Sequence, residues 1–323
     1  MTKLLNPNLA VNWNAVEEPI DLDIWNRSTS NFWLPEKIAL SNDLGTWQMI
    51  SDKERLLTMR VFTGLTLLDT MQSNAGVVSM IEDSRTLHEE SVLAYFAGME
   101  AIHAKSYSSI FSTLSNSRDI DLAFKWSEEN EFLQEKAAIV MRHYKGDNAM
   151  QKKIVSVLLE SFLFYSGFWL PFHFSARGKL TNSADIIRLI LRDEVIHGYY
   201  IGQKFQYAYN EMSILDQEEL HIYTIEILGE LFNNEVLYAG RLYDELGWTD
   251  QVIPWMKLNA NRALSNLGFG PMFPKEECNV SPEILANLDP SANETHDFFS
   301  GSGSSYVIGD KEETTDDDWN FDD

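Results

Sequence analysis

The sequence predicts an all-α chain built on a four-helix bundle, and three observations predict it. Apolar residues recur at helical spacing over most of the chain, as in Leu56, Leu57, Val61, Leu65, Leu68 and Met71. Strand-like alternation is scarce. The phrase Glu-x-x-His stands twice, at Glu100/His103 and Glu194/His197. Each copy is preceded by a carboxylate inside an apolar run, Asp69 by 31 residues and Glu160 by 34.

The elements follow in order. Pro7, Pro19 and Pro35 break up the first 50 residues, which are expected to wrap the bundle with one short helix over 21–27. Ser51 followed by Asp52, Lys53 and Glu54 marks a capped helix start. Further helical patterns run over 86–116, 119–145, 149–177, 183–211 and 215–245, with Gly146-Asp147-Asn148 and Gly178 as stops. The most apolar stretch, 154–174, is long enough to span a membrane. Glu160 stands inside it, Pro171 breaks its end and no basic cluster flanks it, so a buried central helix is expected instead. Residues 1–287 read as one domain. The segment 288–323 reads as a flexible acidic tail, with Ser300-Gly301-Ser302-Gly303-Ser304-Ser305 as linker. Tyr306, Trp319 and Phe321 make that tail a candidate docking peptide, although composition alone also fits a merely solvating one.

Composition excludes several function classes. The formal net charge of −24 opposes the phosphate neutralisation that nucleic-acid binding requires, and equally opposes anionic membranes. One cysteine, Cys278, allows neither a disulfide framework nor a thiolate cluster. Asn6, Asn8 and Asn12 interrupt any signal-peptide core, so a cytoplasmic protein is expected.

The chemistry sits in six residues. Positions three apart on a helix share a face, so Glu100 with His103, and Glu194 with His197, each point at one place. Glutamates from two helices plus Glu-x-x-His from two others are the ligand pattern of ferritin-like di-iron and di-manganese proteins. Oxygen-rich ligation with one imidazole per metal suits Mn or Fe better than Zn or Cu. A single Glu-x-x-His is usually a surface or capping feature, but two in apolar surroundings with Asp69 and Glu160 are read as a dinuclear site. His88, His143, His173, His221 and His296 lack matching partners and are read as structural or surface residues. Tyr107 lies four residues beyond His103, one turn further along the same face. A phenol beside a redox metal pair can be oxidised to a radical, although spacing alone equally fits a core tyrosine. Phe164 and Phe168, four and eight residues after Glu160, and Ile190, four before Glu194, are placed to share that layer.

These residues resemble the small, radical-generating subunit of class I ribonucleotide reductase, most closely the class Ib branch. The resemblance spans nearly the whole chain, from Asn31-Phe32-Trp33-Leu34-Pro35-Glu36 to Asp316-Asp317-Asp318-Trp319-Asn320-Phe321. Between them lie Leu68-Asp69, Glu100-Ala101-Ile102-His103-Ala104-Lys105-Ser106-Tyr107, Glu160 and Arg192-Asp193-Glu194-Val195-Ile196-His197, in that order. The resemblance implies that Asp69, Glu100 and His103 bind one metal and Glu160, Glu194 and His197 the other, with Glu100 and Glu194 bridging two Mn or two Fe ions. It implies a radical on Tyr107, an apolar jacket of Phe164, Phe168 and Ile190, and radical transfer through Asp193, Trp33 and Tyr306. It also implies a homodimer, a large catalytic subunit that makes deoxyribonucleotides, and a flavodoxin-like activator for the manganese form. The alternative is a ferritin-like di-iron oxidase or oxygenase acting on an organic substrate.

Overall fold

The computed structural model describes residues 9–286, and every regular element among them is helical. Helix α1 (Pro19–Ser30) begins with proline, whose missing N–H costs nothing in a first turn. A short α2 (Leu44–Met49) precedes α3 (Asp52–Met71). The predicted cap of α3 is a full capping box: Ser51 Oγ accepts from the Glu54 N–H at 3.2 Å, and the Glu54 carboxylate accepts from the Ser51 N–H at 2.7 Å. Helix α3 continues through a π-helical turn, Gln72–Gly76, into α4 (Val77–Ile81). The long α5 (Leu87–Leu114) starts at Thr86, whose hydroxyl accepts from the Glu89 N–H.

The pattern over 119–145 proves to be two helices, α6 (Ser117–Glu129) and α7 (Glu131–Tyr144). Asn130 adopts an extended conformation between them, and its side chain caps the Leu133 N–H at 2.9 Å. Next come α8 (Ala149–Leu158), a second π-turn (Leu159–Leu163) and α9 (Tyr165–Ser175). This apolar rod, Ala149–Ser175, is long and apolar enough to cross a membrane, yet residues 152–174 of it are buried inside the protein. Pro171 does not end it, because α9 carries the proline inside and runs on to Ser175. Helices α10 (Thr181–Asn210) and α11 (Ile214–Tyr243) close to their predicted limits. Sequence periodicity marks no helix beyond 245. The structure adds α12 (Thr249–Asn266), with Pro254 inside its early turns, and a short α13 (Pro282–Leu285).

The bundle is two helix pairs. Helix α3 packs on α5, and α10 packs on α8 and α9; α5 and α10 also meet. Helix α11 covers α7 and α12, while α12 lies over the second π-turn. Helix α1 packs on α5 and α10. It is pinned by the buried Asp21, which accepts from the Tyr200 hydroxyl at 2.8 Å and the Thr86 hydroxyl at 2.8 Å and pairs with Lys204 at 2.5 Å.

Helix α10 has no cap of its own, since Leu180 holds a left-handed φ of 48° and offers no polar side chain. Asp43 supplies the cap from far away in sequence. Its carboxylate accepts from the Ser183 N–H at 2.7 Å, the Ser183 hydroxyl at 2.7 Å and the Asn182 N–H at 3.1 Å.

His173 is a core residue, packed at a tilt between Trp169 at 4.4 Å and Trp248 at 4.3 Å. Burial, with the nearby Arg177 charge, depresses its pKa from the ordinary 6.5 to about 4. The neutral ring is therefore favoured by the fold. Its contribution to stability is complete above pH 6.5 and is lost as pH falls towards 4. His173→Phe should flatten that part of the stability–pH curve, measured by urea unfolding between pH 4 and 7; an unchanged slope would contradict the assignment.

Candidate metal centre

Four segments deliver the six side chains. Asp69 comes from the last turn of α3, Glu100 and His103 from α5, Glu160 from the second π-turn, and Glu194 and His197 from α10. Ligand-capable atoms of Asp69, Glu100, His103 and Glu194 lie within 4.8 Å of one another, as do those of Glu100, Glu160, Glu194 and His197. The two sets overlap in Glu100 and Glu194. All six residues are at most 1% exposed. Gly198 follows His197, and a Cβ there would run into Ser161 Oγ, so the glycine lets α10 close on the π-turn that carries Glu160.

Most of the donor atoms have no hydrogen-bond partner outside the cluster. Both oxygens of Asp69, Glu100 and Glu194, Oε2 of Glu160, and Nδ1 of His103 and His197 are buried without a hydrogen bond. Buried polar atoms are normally satisfied, and a cluster of carboxylates stripped of water is costly unless cations balance it. The donor set therefore fits two divalent ions: an oxygen-rich environment with one imidazole nitrogen for each.

Electrostatics agree. Burial, reinforced by the Glu100 charge, raises the pKa of Asp69 and of Glu194 well above the carboxylate range. Burial opposes protonation of His103 and His197, but Glu100 and the other carboxylates outweigh it and raise both. Burial also opposes ionisation of Glu100, yet the two imidazoles hold its pKa low. Protons and metal cations thus compete for the same atoms.

His103 is held from behind. Its Nε2 lies 3.1 Å from Asp193 Oδ2, and the same oxygen accepts from Trp33 Nε1 at 2.7 Å. The Trp33 and His103 rings stack with centroids 5.9 Å apart. This leaves His103 Nδ1 facing the cluster, 3.0 Å from Glu194 Oε1, in the orientation that a metal-ligating histidine takes when a carboxylate holds its other nitrogen. His197 Nδ1 lies 2.7 Å from Glu100 Oε1, and its ring packs 4.0 Å from Phe96.

Tyr107 is fully buried, with its hydroxyl beside the Asp69 carboxylate. Burial first, and then the Asp69 charge, lift its pKa well above 10.0. Phe62 packs on its ring at 5.7 Å. Phe164 and Phe168 stack on each other at 5.7 Å, and both are fully buried, as is Ile190. Sequence reasoning does not reach Phe62, Phe96 or Gln72. Phe62 lies seven residues before Asp69, Phe96 four before Glu100 and Gln72 three after Asp69, so the same helical spacing would have found them. His88, His143, His173 and His221 stand outside the cluster. Tyr306 and His296 lie outside the described residues, as does the segment 288–323. Beside the cluster, a cavity of about 280 Å³ is lined by Arg27, Ser161, Tyr165, Tyr199, Arg262 and Asn266.

Residues 10–282 match the family described as ribonucleotide reductase, small chain. The chain belongs to that family. The small chain is 57% identical over 319 residues to the ribonucleoside-diphosphate reductase subunit beta nrdF1 of Mycobacterium tuberculosis, covering 99% of each chain. It is 58% identical over 312 residues to ribonucleoside-diphosphate reductase 2 subunit beta of Escherichia coli, covering 97% of this chain and 98% of that one. The crystal structure of Streptococcus sanguinis dimanganese(II)-NrdF superposes with a TM-score of 0.84 at 48% identity, covering 87% of this chain and 99% of that one. The small chain is therefore an oxidoreductase subunit of the NrdF type, class Ib, with a ferritin-like bundle. The oxygenase alternative gives way to it.

If the cluster holds cations, metal should stabilise the fold. Each ion contributes about 2.7 kcal/mol when free metal stands a hundredfold above its dissociation constant. At roughly 2–4 °C per kcal/mol, Mn(II) added to chelator-stripped protein should raise the unfolding midpoint by several degrees for each ion. Scanning calorimetry showing no rise would argue against metal at these residues.

Proposed function

We propose that this small subunit generates and stores a radical on Tyr107 and passes it to a separate large catalytic subunit that makes deoxyribonucleotides in the cytoplasm. The observation that carries this reading is the Tyr107 hydroxyl: fully buried and beside the Asp69 carboxylate of the cluster. Asp69, Glu100 and His103 would hold one metal and Glu160, Glu194 and His197 the other, with Glu100 and Glu194 placed between the two sets. A bound pair of Mn or Fe ions supplies the oxidising power that removes one electron from Tyr107.

The protein does the rest. Asp69, the carboxylate whose charge acts most strongly on the phenol, is the acceptor for its proton. Phe62, Phe164, Phe168 and Ile190 keep water and reductants away from the phenoxyl. During turnover the hole leaves through His103, Asp193 and Trp33, which the structure joins by hydrogen bonds, and then through Tyr306 to a cysteine of the large subunit. This chain has only Cys278, too few thiols to reduce a nucleotide by itself. The dimanganese(II) form of the S. sanguinis relative supports manganese. A flavodoxin-like activator then fits the manganese form, and the cavity beside Ser161 supports an approach for a small oxidant. The subunit acts as a homodimer.

Two experiments test this. Metal-loaded, oxidised protein should give a tyrosyl signal in electron paramagnetic resonance (EPR), and Tyr107→Phe should abolish it while keeping metal. A persistent signal in the variant would place the radical elsewhere. Truncation before Ser304 should leave the radical intact but cut nucleotide reduction with the large subunit to background. Full activity after truncation would remove Tyr306 and the tail from the route.

A further inference from the structure

We infer that Gln72 is a positioning residue for the metal centre: its side-chain amide, oriented by Tyr144, ties up one oxygen of Glu160, so that this glutamate offers a single oxygen to metal. The inference rests on the dinuclear reading of the site. It adds an asymmetry that the six ligands alone do not show.

Gln72 is fully buried and begins the first π-turn, three residues after Asp69. Its amide is completely used. Nε2 donates to Glu160 Oε1 and to Ser156 Oγ, the latter at 2.8 Å, while Oε1 accepts from the Tyr144 hydroxyl at 2.6 Å. The orientation is fixed by chemistry, since an ionised carboxylate can only accept and the NH₂ must therefore face Glu160. Tyr144 is itself fully buried, and burial, then the Glu160 charge, lift its pKa well above 10.0, so it remains a donor. Gly76 clears the space. A Cβ there would collide with the Gln72 amide oxygen and stand 2.7 Å from the Tyr144 ring. The π-turn, the glycine and the tyrosine all serve one amide.

The effect on the ligands is uneven. Among the four carboxylates Glu160 is the one with an oxygen engaged by a side-chain amide; its Oε2 faces the cluster, 3.7 Å from His197 Nδ1. Asp69, which occupies the matching place in the other half of the bundle, has no amide on either oxygen. The corresponding position three residues beyond Glu160 is Leu163, which has no amide to reach back across the bundle. Gln72 thus leaves the helix that carries Asp69 and acts on the ligand of the other metal. An amide donor to a carboxylate also lowers the cost of keeping that carboxylate ionised in a dry site.

The test is Mn(II) binding to the full chain, read by the EPR signal of free and bound Mn(II), in a double-mutant cycle of Gln72→Met and Glu160→Gln. Wild type should take two ions. Gln72→Met should weaken one of them by about tenfold or more, the range seen for partners of metal ligands, and leave the other in place. In the Glu160→Gln background, Gln72→Met should change nothing further. Equal loss at both sites, unchanged binding, or effects that simply multiply would overturn the inference. A merely structural role would lower the unfolding midpoint of the metal-free protein while the two affinities moved together. Tyr144→Phe, which frees the amide but keeps the ring, should weaken the same ion severalfold, and it carries the test if Gln72→Met does not fold; unchanged affinity there would also overturn the proposal. Failure of wild type to bind Mn(II) at all would instead sink the dinuclear reading on which this one stands.

Discussion

Four carboxylates held out of water within a few ångströms of one another set the terms for the whole molecule. Such a cluster repels itself and is tolerated in a dry interior only with compensating positive charge. The surrounding structure keeps it dry and rigid. Two long helices supply the Glu-x-x-His pairs, two π-turns lie at the cluster on the other two helices, and α12 covers the second of those turns. A π-turn inserts one residue into the helical repeat, and such insertions concentrate at functional sites. Here one of them carries Glu160 and the other carries Gln72.

In the proposed mechanism, storage and exit of an oxidising equivalent share one helix. Tyr107 sits one turn beyond His103 on α5, and His103 is joined to Asp193 and Trp33 on the far side of the cluster. The separation between the phenol and the exit route is thus fixed by the rise of a single helix, without any loop between them. Asp193 serves two partners through a single oxygen, accepting from the Trp33 indole while it orients the imidazole. That geometry couples the orientation of a metal-site histidine to the first aromatic ring on the way out.

Sequence patterns exposed what is local. Residues three apart on a helix necessarily face together, so the Glu-x-x-His pairs could be read directly, and Tyr107 followed by the same rule. The Ser51 cap was legible because both of its partners lie within one turn. The break at Asn130 hid inside a continuous amphipathic pattern, since an asparagine can be a surface residue or a cap with equal ease. Pro171 does not break its apolar helix as expected, because tertiary packing holds the helix together around it. Contacts between distant segments left no mark. Gln72 meets Glu160 across 88 positions, and nothing in the neighbourhood of either residue announces the other.

The cap on α10 has a consequence for how the chain is made. Asp43 and Ser183 are 140 residues apart, so the start of the helix that bears Glu194 and His197 lacks its cap until both ends of that interval have left the ribosome. During vectorial synthesis the amino-terminal segment must wait, unpaired, for most of the bundle to emerge. Closing so large a loop is entropically slow. The start of α10 is thereby completed only after the segments that carry Asp69, Glu100 and Glu160 have been made.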